Sequence, residues 1–257
     1  MSEFLSLAGK KGLVVGVANE HSIAWSCARH FHELGAELAM TYVNEKALKW
    51  VEPLAQQVEA DPFLACDVRE PGQLEAVFDA LQERWGKLDF LLHSIAFAPR
   101  EDLHGRVVDC SQAGFLQAMD VSCHSFIRMA HLAEPLMRDG GTLMTVSFYG
   151  ADKAVDDYNL MGPVKSALES SVRYMAAELG PQGIRVHALS PGPLRTRAAS
   201  GIARFDEIME RTRRRAPQEQ LADINDVGAM AAFLVSDRAK TLTGNITYID
   251  AGYHVVG

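Results

Sequence analysis

Cysteine is scarce in this chain of 257 residues. There are four, Cys27, Cys66, Cys110 and Cys123, and no two of them form a C-x-x-C pair. That spacing excludes a disulfide scaffold, a zinc ribbon and a thioredoxin-like redox site, and leaves thiols that act as small core hydrophobes in a reducing compartment. Long apolar runs are also missing; none approaches the ~20 residues that a membrane span requires. Positive charge is in deficit, with 25 Lys and Arg against 33 Asp and Glu and a net charge of −8, which argues against a general nucleic-acid binder. The opening Met-Ser-Glu-Phe-Leu-Ser-Leu-Ala-Gly-Lys-Lys-Gly has no basic segment ahead of a long apolar core, so it does not read as a secretory signal. Nine histidines occur without H-E-x-x-H spacing, and no metal site is expected. No internal repeat, low-complexity tract or Pro/Ser-rich linker divides the chain. These absences predict a soluble, cytoplasmic protein with one domain over residues 1–257.

What is present is an alternation. The composition, 48% hydrophobic and 23% charged, is that of an ordinary globular domain, and the length suits one large α/β unit. Short β-rich apolar runs at 12–16, 37–42, 62–65, 88–93, 141–147, 185–190 and 245–250 alternate with amphipathic segments. The helical patterns include 22–34, 73–85, 114–137, 164–178 and 225–234. Leu13-Val14-Val15 and Phe90-Leu91-Leu92 do not alternate with polar residues, as expected of parallel strands covered on both faces. Repeated strand–helix alternation predicts right-handed crossovers and a doubly wound, Rossmann-type parallel sheet of about seven strands with helices on both faces. Gly35, Gly86 and Gly180 each follow a helical run, where a left-handed residue closes a helix.

Three turns fall at the C-terminal ends of predicted strands, the side on which open α/β sheets bind ligands. The first, Gly16-Val17-Ala18-Asn19-Glu20-His21-Ser22-Ile23, must let backbone approach a pyrophosphate and aim helix N–H groups at it. Gly12, Gly16 and Ala18 are small enough for this, and Ser22 can cap the helix or donate to a phosphate. The usual three-glycine fingerprint is absent, and the loop alone reads equally well as an ordinary βα turn. The second turn, Cys66-Asp67-Val68, offers a carboxylate for an adenine amino group; the third, Ser94-Ile95-Ala96, permits close approach of a cofactor. Taken together, the three turns predict a dinucleotide cleft. After the second strand, Val43 offers no cation for a 2′-phosphate and Glu45 would repel one, which predicts NADH over NADPH despite Lys46 and Lys49 nearby.

The reacting residues are expected after the fifth strand. Tyr158 and Lys165 are seven apart, two turns if the segment is helical throughout, and so able to share a face; Pro163 is tolerated in a first turn. An ammonium beside a phenol favours the phenolate and makes its proton easier to share. An amphipathic helix with a packed tyrosine and a surface lysine would carry the same two residues.

Over nearly its whole length the chain resembles the short-chain dehydrogenases/reductases, and more closely their divergent branch of NADH-dependent enoyl-acyl-carrier-protein reductases. The resemblance rests on Gly16-Val17-Ala18-Asn19 with Ser22-Ile23-Ala24-Trp25, on Tyr158-Asn159-Leu160-Met161-Gly162 with Lys165, and on Val172-Arg173-Tyr174-Met175. Gly192-Pro193-Leu194-Arg195-Thr196 and Ala198-Ala199-Ser200-Gly201-Ile202 extend it. The common short-chain pattern has a tyrosine four residues before the lysine, where this chain has Met161; the wider Tyr158–Lys165 gap points to the enoyl reductase branch.

The resemblance implies that Gly16, Ser22, Ile23, Val43, Asp67, Val68, Ile95, Lys165, Leu194, Arg195, Thr196, Arg197 and Ala198 hold NADH. It implies that Tyr158 hydrogen-bonds the thioester carbonyl of a trans-2-enoyl substrate, with Ala98 also at the substrate. A helical segment near 194–220 would cover that substrate. The partners implied are an acyl carrier protein and three further copies of the chain in a homotetramer. Four positions depart from the family pattern. Phe148 stands where a second tyrosine is usual, with Tyr149 one place out of register. Val43 replaces a polar residue, Arg197 an aliphatic one, and Pro217-Gln218-Glu219-Gln220 a basic or aliphatic stretch. Phe148 leaves open a carbonyl or alcohol oxidoreductase acting on another small molecule; a weakly catalytic NAD(H)-binding protein is the third reading. The run Arg211-Thr212-Arg213-Arg214-Arg215 is either a solvated helix face or a landing patch for an acidic carrier.

Overall fold

The computed structural model describes residues 5–196 and 204–256. Seven strands form a single sheet: β1 (Lys11–Val15), β2 (Glu37–Tyr42), β3 (Phe63–Ala65), β4 (Phe90–His93), β5 (Gly141–Val146), β6 (Ile184–Pro191) and β7 (Asn245–Ile249). All pairings are parallel, in the order β3-β2-β1-β4-β5-β6-β7. Every predicted strand is present, and the doubly wound parallel architecture is the one expected. The chain reverses its direction of winding between β1 and β4, so the crevice beyond their C-terminal ends is where such a sheet receives a ligand.

Nine α-helices cover the two faces among the described residues: α1 (Ile23–Glu33), α2 (Glu45–Gln57), α3 (Gln73–Arg84), α4 (Arg100–His104), α5 (Gln112–Met119), α6 (Ser125–Ala133), α7 (Met161–Leu179), α8 (Phe205–Arg215) and α9 (Ile224–Val235). Side chains alternate across the strands and fill two cores. Leu13, Val15, Leu91 and Leu143 pack with α3, α6 and α7 on one face. Val14, Phe90, Leu92 and Met144 pack with α1, α2 and α9 on the other. Both faces are therefore dry, which explains the uninterrupted apolar runs. None of the described helices is long and apolar enough to cross a membrane.

Several local expectations need correction. The long pattern at 114–137 is not one helix: a π turn at Asp120–His124 separates α5 from α6, and the run ends in a 3₁₀ turn at Glu134–Leu136, because Pro135 lacks an N–H to continue the ladder. Helix α2, with Pro53 inside it, has no counterpart in the sequence reading. Gly35 and Gly86 have positive φ, but Gly180 does not; Gly183 takes the left-handed position there, after a 3₁₀ turn. Gly12 is not among the residues that line the cleft. A Cβ on it would lie 2.0 Å from the Phe90 ring, so it makes room for core packing beneath β1.

Candidate active site

The switch-point crevice opens into a continuous cleft of about 860 Å³, a volume at the upper end for a ligand pocket. The end expected to take the nucleotide is built from backbone. Gly16 has φ 108°, and a Cβ there would sit 2.1 Å from the carbonyl oxygen of Ser94, so the turns after β1 and β4 touch and only glycine fits between them. Ser22 occupies the N-cap position of α1, yet its hydroxyl turns back to accept from the N–H groups of Ala18 and Asn19, both at 3.0 Å. Of the two roles read for Ser22, the side-chain cap is absent. The serine instead closes the loop, and α1 starts at the cleft without a side chain on its free amides, as a pyrophosphate site requires.

Ile23, Val43, Val68 and Ile95 line this end, together with Asp67. The Asp67 carboxylate accepts from the Arg69 guanidinium at 3.0 and 2.6 Å. That bonding holds it below the usual carboxylate range, so it remains an ionised acceptor. Beyond it the lining residues include Lys46 and Lys49 but not Glu45; the repulsive charge expected there faces elsewhere. Leu194 and Thr196 line the far wall, whereas Arg195 pairs with Asp206 at 2.8 Å and does not line the cleft. Arg197 and Ala198 lie outside the described residues, as does the 199–202 stretch.

The end expected to carry the chemistry is built from side chains. Tyr158 and Lys165 both line the cleft, but the intervening segment is not helical throughout. Helix α7 begins at Met161, after a reversal with positive φ at Asp157 and Asn159. Pro163 explains the start: in the first turn its missing N–H is one that needs no partner, whereas a helix running from 156 would lose a bond to it. Tyr158 is wedged in place. Its ring packs on Phe148 with centroids 4.7 Å apart, and a Cβ on Gly150 would come within 2.4 Å of it. Next to it, the Asn159 side-chain amide donates to the Leu103 carbonyl at 2.9 Å, tying the segment that carries Ala98 to the tyrosine turn.

The expected easing of the Tyr158 proton by Lys165 is overturned. Burial pushes the phenol above its ordinary value and Glu169 adds to the rise, while the Lys165 Nζ donates to the Val146 carbonyl at 2.6 Å. Burial in turn pulls Lys165 down to about 8, against Cys123 and Glu169. Tyr158 is therefore a protonated hydrogen-bond donor near neutrality. Phe148 lines the cleft, as its register implies, while Tyr149 turns into a separate recess beside Tyr253, its hydroxyl buried without a partner.

Helix α8 contributes Phe205 to the cleft. Its arginines and the N-cap Arg204 are largely engaged: Arg204 with Asp157 at 2.9 Å, Arg211 with Asp156 at 2.7 Å, Arg213 and Arg214 both with Glu210, and Arg215 with the Val256 carbonyl. Two of these pairs join α8 to the residues just before Tyr158. Arg69, Trp50, Phe97 and Phe205 were not singled out in the sequence; each lines the cleft from an element whose approach depends on the sheet. The four cysteines are free thiols, and no cluster able to hold a metal occurs among the described residues.

Comparison with known proteins gives one answer. The profile of the family described as "Enoyl-(Acyl carrier protein) reductase" matches residues 16–254. The chain is 46% identical over 249 residues to "Enoyl-[acyl-carrier-protein] reductase [NADH] 1" of Rhizobium meliloti, covering 97% of this chain and 92% of that one. It is 43% identical over 256 residues to the protein of the same activity in Nostoc sp., covering 98% and 99%. Among solved structures, the enoyl-(acyl-carrier-protein) reductase of Anaplasma phagocytophilum in complex with NAD superimposes with a TM-score of 0.94. It shares 45% identity and covers 98% of this chain and 96% of that one.

Proposed function

The chain belongs to the enoyl-acyl-carrier-protein reductase family, and from that membership we propose that it reduces the 2,3-double bond of trans-2-enoyl thioesters in fatty acid synthesis. It is an NADH-dependent oxidoreductase, like its relatives. The residues present fit the cofactor: Gly16 lets the turns after β1 and β4 close on each other, α1 starts at the cleft with no side chain on its first amides, and Asp67 is kept as an anion in the same cleft. NADH, when bound, supplies the hydride for the β-carbon.

The observation that carries the reading is the state of Tyr158. A phenol kept protonated by burial, at the edge of the same cleft as the nucleotide turns, is a donor for a thioester carbonyl. Negative charge grows on that oxygen as the β-carbon is reduced, so a fixed donor is worth most in the transition state. Lys165 would hold the nicotinamide ribose. Gly16, Ser22, Ile23, Val43, Val68, Ile95, Leu194 and Thr196 would form the rest of the cofactor site, with Ala98 and Phe148 against the acyl group and α8 covering it.

The acyl group would arrive on a carrier protein, with Arg213 and Arg214 at the docking face. We further propose that the protein assembles as a homotetramer and works in the cytoplasm. The test is NADH oxidation against paired panels of enoyl and 3-oxo thioesters. Turnover confined to the enoyl panel is expected; turnover of the 3-oxo panel alone would reassign the protein as a carbonyl reductase. Sedimentation at micromolar concentration checks the tetramer.

A further inference from the structure

Glu169 is a buried carboxylate that the chemistry above does not use. It lies on α7 one turn beyond Lys165, on the same face, and is 7% exposed. The two side chains grip consecutive residues at the end of β5. Lys165 donates to the Val146 carbonyl at 2.6 Å, and Glu169 accepts from the Ser147 hydroxyl at 2.5 Å. Phe148 follows at once and packs on Tyr158, and position 150 has room only for a glycine against the same ring. A shift of Ser147 is thus passed directly to the reacting phenol.

Charge points the same way. Lys165 is 4% exposed, and a buried ammonium needs an anion nearby to remain charged. The groups facing it are Cys123 from the π turn and His93 from β4, besides Glu169 on its own helix. Burial raises the Cys123 thiol and pulls His93 down to about 3, so both are neutral. The groups facing Glu169 are Ser147, Arg173, Asp152, Tyr158 and Tyr248. Its carboxyl is raised by burial, and opposed by the Ser147 bond and by Arg173 and Lys165.

We infer that Glu169 is a positioning residue: the buried counter-charge of Lys165 and, through Ser147, the clamp that sets the Phe148–Tyr158 contact. The inference rests on the NADH-dependent reading of the cleft. Its test is NADH binding by fluorescence titration across pH, without acyl substrate, alongside turnover of an enoyl thioester. Wild-type affinity should fall as pH rises through about 8, where Lys165 loses its proton. Glu169→Gln removes the counter-charge, so the fall should begin about one pH unit lower, with affinity near wild type at pH 6. Glu169→Asp should return it toward the wild-type position. Ser147→Ala keeps the carboxylate but frees the clamp; kcat should drop about tenfold while NADH affinity and its pH dependence stay unchanged. A wild-type pH dependence in Glu169→Gln overturns the inference. If that variant does not fold, Ser147→Ala turning over at the wild-type rate overturns it. Because the titration needs no acyl group, failure of the wild-type protein on every enoyl thioester would sink the proposed substrate and leave this result readable.

Discussion

The two ends of the cleft, proposed above to hold the nucleotide and the acyl group, are walled with different materials. At the nucleotide end the wall is main chain: Gly16 against the Ser94 carbonyl, and a loop closed by the Ser22 hydroxyl on two backbone amides. At the reacting end the wall is side chain: Tyr158 between Phe148 and Gly150, with Lys165 and Glu169 reaching to the end of β5. A backbone wall depends on volume, so a single methyl group is its critical dose. A side-chain wall depends on functional groups, so an isosteric replacement that keeps every contact can still abolish the chemistry.

The largest effect that would sharpen this contrast is expected from Tyr158→Phe. The ring contact with Phe148 survives and only the hydroxyl is lost, yet kcat should fall about 10²–10³-fold, the typical cost of one oxyanion donor, with NADH affinity nearly unchanged. Full activity of this variant on its enoyl substrate would remove Tyr158 from the chemistry. Gly16→Ala is the mirror experiment. Its added methyl meets the Ser94 carbonyl at a position with φ 108°, a strain of about 1–3 kcal/mol or about ten- to a hundredfold in NADH affinity. Any NADH that does bind should turn over at close to the normal rate. Titration and saturated turnover on one sample separate the two numbers; a selective loss of kcat would break the comparison.

Phe148→Tyr adds a group without changing the wall. Because Phe148 lines the cleft and is only partly buried, the new hydroxyl can find water or the substrate. Turnover of short and long enoyl thioesters should hold or rise by up to about tenfold. A clear fall in kcat/KM on both, at unchanged NADH affinity, would mean that Phe148 marks a more apolar substrate. The smallest effect is expected from Arg213→Gln with Arg214→Gln. Both cations share Glu210 and lie exposed on α8, so their pull on a carrier is weak. KM for a carrier-protein substrate should rise about two- to threefold, and the difference should vanish at high salt. A coenzyme A thioester should show no change. Equal losses on both would assign the run to structure.

The wording of the sequence determined a good deal by itself. Short apolar runs marked all seven strands, most plainly the central ones, because a strand buried on both faces advertises itself locally. The turns after β1, β3 and β4 could be assigned to one cleft because strand ends in a parallel sheet lie on one side. Tyr158 and Lys165 stood out by spacing and by resemblance, and both line that cleft. Only tertiary structure decided the rest. Gly12 looked like part of the nucleotide turn until Phe90, 78 residues away, was seen to fill the space above it. The tyrosine proton was expected to be eased by a neighbouring ammonium, but burial raises the phenol and Glu169 adds to the rise, and burial is a property of the packed sheet. Glu169 carried no signal in the sequence beyond lying one helical turn past Lys165. Its partner Ser147 sits 22 residues earlier, at the end of a strand. Periodicity reports which face a residue turns to the core, because that is a local matter. Which buried charge answers which depends on where separate strands and helices end, and the packed fold alone sets that.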